Sequence, residues 1–314
     1  MKLATFLSPS GARRIGAVDV AKDRVLDLAG AAKILKGDGD VFASMIDLIE
    51  SGDAGFAEAK RVAEEWPQGA SLPLTGLDLL APLPRPVSLR DCLVFQQHMI
   101  NGAERLSRIS GHPPVPITPL WFERPTYYKG NRMSVIGSGA DIIWPRYSEQ
   151  MDFELELACI VGRGGKDISR AEGLDHIFGF TIFNDVSARD TQAKEKIFSQ
   201  GPTKGKDFDT GNVLGPWITT RDEIGDPQDL DMEVRINGER WGGGNSSDMY
   251  HSFAAIIAFI SIEETLYPGE VIGSGTVGTG CGLEFDRFLK PNDTIELEIE
   301  KIGILRNRIV RRHA

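Results

Sequence analysis

The sequence predicts an α+β protein in which β-structure dominates, and three features of its 314 residues lead to that class. Residues 1–80 combine strand-like and helix-like segments, whereas residues 81–314 contain many short β-rich runs broken by Gly and Pro. Strands and helices do not alternate regularly, as they would in a chain that builds a parallel α/β sheet. We therefore expect a small N-terminal α+β domain over residues 1–80, followed by a larger, mostly β domain over residues 81–314.

The N-terminal segment begins with a predicted strand pair, KLATFLS and RIGAVDV, joined through the turn PSGAR, which contains Pro and Gly. Two segments with helical spacing follow, DVFASMIDLIESG and AGFAEAKRVAEEW, and both are bounded by Gly or Pro. The stretch PLPRPV, residues 82–87, has three prolines in five residues and favours an extended connector. It marks the predicted boundary between the two domains.

Strands in the larger segment are predicted from short β-rich runs: SVIGSG, ELACIVG, FGFTIFND, GPWITT, MEVRING, GEVIGSG and TIELEIEKIGILRNRIV. One long helix is predicted among them, SDMYHSFAAIIAFISIEE, with Ser247 or Asp248 as its N-cap. The run GSGTVG, residues 273–278, satisfies the G-x-G-x-x-G pattern of dinucleotide sites. No helix is predicted after it and too little chain remains for a βαβ unit, so we expect no nucleotide site there.

Composition and charge narrow the class of function. At 41% hydrophobic and 25% charged residues, the chain has the make-up of an ordinary globular protein. Its net charge of -10 argues against nucleic acid and anionic membranes as partners, although a small anionic substrate needs only a few local cations. No apolar run approaches 18 residues and no signal-peptide pattern follows Lys2, so we expect a cytoplasmic protein. The odd number of widely spaced cysteines predicts buried, reduced thiols at Cys92, Cys159 and Cys281.

The stretch MDFELELACIV places two glutamates, Glu154 and Glu156, at the start of an apolar run that reads as an interior strand. Residues two apart on a strand project from the same face, roughly 6.6–6.8 Å apart along the chain. Two buried, unpaired carboxylates repel each other and lose hydration, and a divalent cation removes both costs. Oxygen ligands favour Mg²⁺, Mn²⁺ or Ca²⁺ over zinc. A half-exposed strand with a hydrated acidic face is an equally open alternative.

Further polar residues follow apolar runs elsewhere in the chain. FGFTIFND ends in Asp185 and is followed by Arg189 and Gln192, an arrangement that adds a carboxylate and anion-binding groups at the end of a strand. The Gly-containing stretch GPTKGKDF carries Lys206. The other polar candidates are Asp91, seven residues before His98, and Thr276 and Glu284 in the run GTVGTGCGLE.

Taken in order, E-x-E, N-D-x-S-A-R-D-x-Q, K-G-K-D-F and GTVGTGCGLE resemble the motifs of the fumarylacetoacetate hydrolase superfamily. The resemblance covers about residues 81 to 310 and implies a mixed β-roll with a small N-terminal domain, usually in a homodimer. It also implies a bound Mg²⁺ or similar ion, and 2-oxo acids, many of them 2,4-diketo acids, as substrates.

The resemblance carries roles to individual residues. It implies metal ligands at Glu154, Glu156 and Asp185, with Asp91 as a further ligand, and a general base at His98. Several small members of the superfamily carry the glutamate that pairs with this histidine three residues after it, where this chain has Asn101. We therefore prefer Glu284 as the partner and keep Glu104 as the alternative. Anion-stabilising and substrate-binding groups are implied at Arg189, Gln192, Lys206 and Thr276, and Lys129 is either a further substrate contact or an exposed loop residue.

These observations predict a metal-dependent hydrolase that cleaves a C–C bond in a 2,4-diketo acid of the acylpyruvate or fumarylacetoacetate type. A metal-stabilised enolate and water activated by His98 would carry the reaction. Oxaloacetate decarboxylation, hydration of a 2-oxo-enoate and keto–enol isomerisation are alternatives on the same site. A non-catalytic binder of 2-oxo acids is the alternative outside enzymes, and the presence of His98, Glu284 and Lys206 argues against it.

Overall fold

The structure is a computed structural model that describes residues 1–198 and 200–312. Its α-helices are α1 (Leu28–Ile34), α2 (Met45–Glu50), α3 (Gly52–Glu65), α4 (Gln96–Ser110), α5 (Pro119–Glu123), α6 (Arg189–Glu195), α7 (Arg221–Ile224) and α8 (Phe253–Ile260). Its strands up to residue 161 are β1 (Lys2–Leu7), β2 (Arg13–Asp19), β3 (Arg24–Asp27), β4 (Ser71–Pro73), β5 (Leu79–Leu80), β6 (Leu89–Cys92), β7 (Tyr127–Lys129), β8 (Val135–Ile136), β9 (Asp141–Ile143), β10 (Met151–Asp152) and β11 (Leu155–Val161). The remaining strands are β12 (Ile177–Asp185), β13 (Ser187–Ala188), β14 (Asn212–Thr220), β15 (Asp231–Ile236), β16 (Glu239–Asn245), β17 (Val271–Gly273), β18 (Thr294–Ile299) and β19 (Gly303–Val310).

One large mixed sheet runs through the molecule in the order β4-β3-β2-β1-β14-β12-β11-β17-β6-β7, with β5 beside β1 and β8 beside β14. Antiparallel pairing of β1 with β14, in the register Lys2↔Thr219, joins the first eighty residues to the rest of the sheet. A five-stranded sheet, β16-β15-β18-β19-β9, and the short pair β10-β13 complete the β-structure. The α+β fold class is confirmed, while the division at residues 80 and 81 stays a prediction.

Apolar cores cover both faces of the large sheet. Along β11, Leu157, Cys159 and Val161 belong to a core shared with β15, β18 and α8, whereas Ala158 and Ile160 belong to a second core shared with α1, α2 and α3. A strand buried on both faces needs no polar side, so its sequence is a continuous apolar run. This explains why LACIV lacks alternation, and it places the neighbouring glutamates in a dry interior.

The predicted N-terminal strand pair is confirmed, because β1 and β2 pair antiparallel from Lys2↔Val18 to Leu7↔Arg13. The predicted long helix at residues 247–264 is shorter than expected, since α8 covers only Phe253–Ile260 and its N-cap is Ser252, whose hydroxyl accepts from the N–H of Ala255. Tertiary contacts explain the late start: the N–H of Tyr250 donates to the carbonyl of Val94, and the His251 ring bonds the Trp121 carbonyl at 2.7 Å.

The structure also describes the three cysteines and the length of the helices, two features that the composition addresses. Cys92, Cys159 and Cys281 are free and buried, as predicted. Within residues 1–198 and 200–312, none of the helices has the length and apolar character needed to cross a bilayer.

Candidate active site and metal centre

Four buried carboxylates meet where neighbouring strands of the large sheet end: Asp91, Glu154, Glu156 and Asp185. Asp91 lies on β6, Glu156 on β11 and Asp185 at the end of β12, while Glu154 immediately precedes β11. The strand order β12-β11-β17-β6 brings these ends side by side, although the residues span almost a hundred positions of sequence. One oxygen from each carboxylate lies within 4.8 Å of the other three. We call these four residues the carboxylate cluster.

The donor set of the carboxylate cluster fits a hard divalent cation. One oxygen each of Asp91, Glu156 and Asp185 is buried without a hydrogen-bond partner among the described residues. An unpaired buried carboxylate oxygen is costly, and a cation satisfies several of them at once. Oxygen ligands at this spacing are those that Mg²⁺, Mn²⁺ and Ca²⁺ prefer.

Electrostatics lead to the same conclusion. Burial and the charge of Asp185 raise the pKa of Asp91 well above its ordinary value, and burial and Asp91 do the same to Glu156. Burial also raises the pKa of Asp185, partly offset by Lys206. Burial and neighbouring negative charge thus both oppose ionisation of these carboxyl groups. A divalent cation would compensate that charge.

Two buried cations stand on one side of the carboxylate cluster. The ammonium of Lys206 donates to Glu154 Oε2 and to Asp185 Oδ2, each at 2.6 Å, and Arg189 Nη1 lies 2.7 Å from Glu154 Oε1. Burial alone would favour the protonated form of Glu154, yet Lys206 and Arg189 lower its pKa to about 2. The Tyr128 hydroxyl also donates to Asp185 Oδ2, at 2.6 Å. Glu154 therefore stays ionised beside the three carboxyls whose pKa values are raised.

Asp152 connects Arg189, which contacts the carboxylate cluster, to a loop that is distant in sequence. Its carboxylate accepts from the N–H groups of Gly282 and Leu283 at 2.8 and 2.9 Å, and from Arg189 Nε at 2.8 Å. The N–H groups belong to the start of a short 3₁₀ helix, Gly282–Phe285, which carries Glu284. Asp152 thus positions both Arg189 and the loop of Glu284.

A histidine–glutamate pair lies beside the carboxylate cluster. His98 Nδ1 lies 2.8 Å from Glu284 Oε1, and the other oxygen, Oε2, accepts from the N–H of Thr279 at 2.8 Å and from the side-chain amide of Asn101. Because Glu284 is surrounded by donors, it accepts the Nδ1 proton of neutral His98 and leaves Nε2 as the basic nitrogen. A backbone bridge between Glu154 and Cys281, three residues before Glu284, places this pair next to the carboxylate cluster.

The structure places the remaining predicted residues as follows. Gln192 Oε1 accepts from Arg189 Nη1 at 3.1 Å, and Thr276 is buried next to Gly275, whose N–H donates to Glu156 Oε2 at 3.1 Å. Lys129 is 65% exposed and lies 3.5 Å from Glu264, away from the carboxylate cluster. Glu104 is exposed on α4, and the carboxylate that meets His98 is that of Glu284.

Three residues that contribute to the site were not predicted from the sequence: Tyr128, Asn101 and Thr279. Strand alternation carries a signal for the first, since Tyr128 and Lys129 are adjacent on β7 and must point to opposite faces. If Tyr128 faces the carboxylate cluster, Lys129 therefore points to the opposite face of the sheet. Asn101 carries no local signal, because its partner Glu284 is 183 residues away.

Gly273, at the end of β17, tests the carboxylate cluster without changing its charge. A Cβ there would lie 2.6 Å from Glu156 Oε2 and 2.8 Å from Asp91 Oδ1. We expect Gly273→Ala to push these carboxylates apart and weaken Mg²⁺ binding by about 10-fold or more, measured by calorimetry. Gly102→Ala, where a Cβ meets nothing within 4 Å, is the control. Equal Mg²⁺ affinity in both variants would argue against a metal site here.

Comparison with known proteins agrees with the motifs. Residues 99–310 match the family model described as Fumarylacetoacetate (FAA) hydrolase C-terminal. The human protein named oxaloacetate tautomerase FAHD2A, mitochondrial, is 33% identical over 269 residues, 85% of this chain and 80% of its own. Oxaloacetate tautomerase YisK of Bacillus subtilis is 32% identical over 299 residues, 91% of this chain and 93% of its own.

The fold of this chain also resembles that of a solved structure over nearly its whole length. Fumarylacetoacetate hydrolase from the psychrophile Exiguobacterium antarcticum superposes with a TM-score of 0.75 at 27% identity, covering 99% of this chain and 100% of that one. The matched family segment contains Glu154, Glu156, Asp185 and Glu284, and begins one residue after His98. The chain therefore belongs to the fumarylacetoacetate hydrolase family.

Proposed function

We propose that this protein catalyses keto–enol tautomerisation of oxaloacetate or of a closely similar short 2-oxo dicarboxylic acid. The observation that supports this most directly is the His98–Glu284 pair beside the carboxylate cluster, which combines a proton-transfer group with a candidate cation site. Tautomerisation needs these two elements and no further reactant. The human and Bacillus subtilis relatives, named oxaloacetate tautomerases, support the choice of substrate.

We assign the cation to Glu154, Glu156 and Asp185, with Asp91 as a fourth ligand, and expect Mg²⁺, with Mn²⁺ or Ca²⁺ as substitutes. When bound, a divalent cation would supply positive charge that stabilises an enolate and the carboxylate next to it. Lys206 and Arg189 bring two further positive charges to the same buried group. They suit a small anionic substrate even though the whole chain is acidic.

His98 would move the proton. In oxaloacetate a proton leaves C3 and a proton is added to the C2 oxygen, so the enzyme needs one group that accepts and returns it. With Nδ1 bonded to Glu284, the basic Nε2 of His98 is the acceptor, and Glu284 stabilises the imidazolium that forms. Gln192 and Thr276 are proposed contacts of the substrate. Lys129 stays an untested prediction, since its side chain lies toward Glu264.

Hydrolysis of a 2,4-diketo acid is the second candidate. A histidine whose tautomer is fixed by a glutamate is also the arrangement that activates water. The Exiguobacterium antarcticum structure, named fumarylacetoacetate hydrolase, supports this reading through its 27% identity over the whole chain. Both candidates use the same site and differ in whether water or the substrate itself gives up the proton.

Family membership also supports the predicted homodimer.

The two candidates can be separated on the wild-type protein with Mg²⁺. We expect faster interconversion of enol and keto oxaloacetate, followed by ultraviolet absorbance, and faster exchange of the C3 protons in D₂O, followed by NMR. Acylpyruvates should remain uncleaved under the same conditions. Glu104→Gln, which changes an exposed carboxylate on the same helix as His98, should behave as wild type. Cleavage of an acylpyruvate without faster tautomerisation would favour the hydrolase, and neither reaction would reject both candidates.

A further inference from the structure

Cys281 is a buried thiol that the proposed reaction does not use. Its Sγ lies 3.5 Å from Glu284 Oε1 and 3.9 Å from His98 Nδ1, and these last two atoms are 2.8 Å apart. A sulfur, a nitrogen and an oxygen therefore form a compact triangle. The thiol is fully buried, whereas the His98 side chain is 13% exposed, so the triangle can be approached from the histidine side.

The size of this triangle matches a metal ion. From the three separations, a point equidistant from the three atoms lies about 2.0 Å from each. Zinc bonds are roughly 2.0–2.2 Å to nitrogen and oxygen and about 2.3 Å to sulfur, so only small movements are needed. A fourth ligand, such as water, can complete a tetrahedron from the exposed side of His98.

We propose that His98, Cys281 and Glu284 form an inhibitory site for Zn²⁺, separate from the carboxylate cluster. The two groups differ in chemical softness: thiolate and imidazole favour zinc, whereas four carboxylates favour Mg²⁺, Mn²⁺ or Ca²⁺. Binding converts the Cys281 thiol to a thiolate, which releases its proton to solvent, and the proton on His98 Nδ1 moves to Nε2 so that Nδ1 can bind the ion. No electron transfer takes place.

Zinc at this site would stop catalysis by occupying both members of the proton-transfer pair. Nδ1 of His98 and Oε1 of Glu284 would bind the ion, so the hydrogen bond that fixes the imidazole tautomer would be lost. Asp152 and Glu154 also lie close to Cys281 and add negative charge around the site, which the guanidinium of Arg189 partly offsets. The inhibitory consequence rests on the proposed proton-transfer role of His98, whereas zinc binding itself does not.

The binding test uses Co²⁺, a spectroscopic substitute for zinc, on full-length protein with excess Mg²⁺ present to fill the carboxylate cluster. We expect one equivalent of Co²⁺ to produce a near-ultraviolet thiolate-to-cobalt charge-transfer band, which Zn²⁺ then removes. Cys281→Ala should lose the band, and the matched control Cys159→Ala, another fully buried thiol, should keep it. His98→Gln is a second variant, should Cys281→Ala fail to fold, and should weaken Co²⁺ binding by about 10-fold or more.

Absence of the band in the wild type, or its persistence in Cys281→Ala, would overturn the site. Zinc inhibition is then compared as a ratio of inhibition constants, and we expect Cys281→Ala to raise the constant by about 10-fold or more relative to Cys159→Ala. Equal inhibition of the two variants would place zinc at the carboxylate cluster and contradict the proposal. A charge-transfer band in a protein with no tautomerase or hydrolase activity would leave the zinc site standing while the proposed function fails.

Discussion

Replacing Glu156 by Gln should abolish tight Mg²⁺ binding and turnover together. The substitution removes one ligand charge and places an amide next to Asp91 and Asp185, where a cation needs oxygen donors. We expect calorimetry to detect no Mg²⁺ binding at concentrations that saturate the wild type. Glu154→Gln should have the same effect on Mg²⁺. Glu149→Gln, a change at an exposed ion pair with Arg311, is the control.

Although Glu156→Gln should lose Mg²⁺ binding, it should not lower the free energy of unfolding of the metal-free protein. Burial and Asp91 raise the pKa of Glu156, so its ionised form is disfavoured in the folded protein relative to the unfolded chain. Such a group destabilises the fold once the pH exceeds its unfolded pKa, near the ordinary value of 4.5. At pH 7 without metal, the free energy of unfolding of Glu156→Gln should therefore equal or exceed that of wild type. A large loss of stability with unchanged Mg²⁺ binding would show that Glu156 is a structural carboxylate.

The carboxylate cluster was predictable because charge inside an apolar run has few explanations. Glu154 and Glu156 precede a strand that is buried on both faces, and Asp185 ends another buried strand. The sequence does not reveal that these strands are neighbours, since the order β12-β11-β17-β6 is a property of the sheet. The family resemblance supplied that link, and it also suggested Asp91.

The partner of His98 was harder to predict from sequence alone. Glu104 and Glu284 were both open, and the contact that the structure shows spans 186 residues. It depends on Asp152, which accepts from the backbone of Gly282 and Leu283 and so holds the loop of Glu284 in place. A buried aspartate that caps a distant loop leaves no periodic pattern in the sequence, because the backbone groups it binds are about 130 residues away.

The boundaries predicted for the long helix were wrong for a similar reason. The segment SDMYHSFAAIIAFISIEE has helical spacing throughout, yet α8 begins only at Phe253. Tyr250 and His251 make hydrogen bonds to Val94 and Trp121, far away in sequence, and these hold the preceding residues out of the helix. Tertiary contacts that compete with a local preference are invisible to a local pattern.

Replacing Glu284 by Gln should lower kcat by about 10²–10⁴-fold, the usual scale for positioned acid–base catalysis. The structure gives this loss a specific cause. Two donors, the Thr279 N–H and the Asn101 amide, face the Oε2 position, so the amide oxygen of the new glutamine side chain will take that side. Its NH₂ group then points at His98 Nδ1, which must accept instead of donate. The imidazole proton moves to Nε2, and the nitrogen that serves as the base is no longer basic.

This inversion of the tautomer distinguishes a positioning role from a structural one. ¹⁵N NMR of the His98 ring should show the proton on Nδ1 in wild type and on Nε2 in Glu284→Gln. Mg²⁺ affinity should stay at the wild-type value, because Glu284 lies outside the carboxylate cluster, whereas Glu156→Gln should lose Mg²⁺ and keep the tautomer. The two variants would then separate cation binding from proton transfer at one site. If Glu284→Gln keeps kcat within about tenfold of wild type, Glu284 does not activate His98 and Glu104 becomes the next residue to replace.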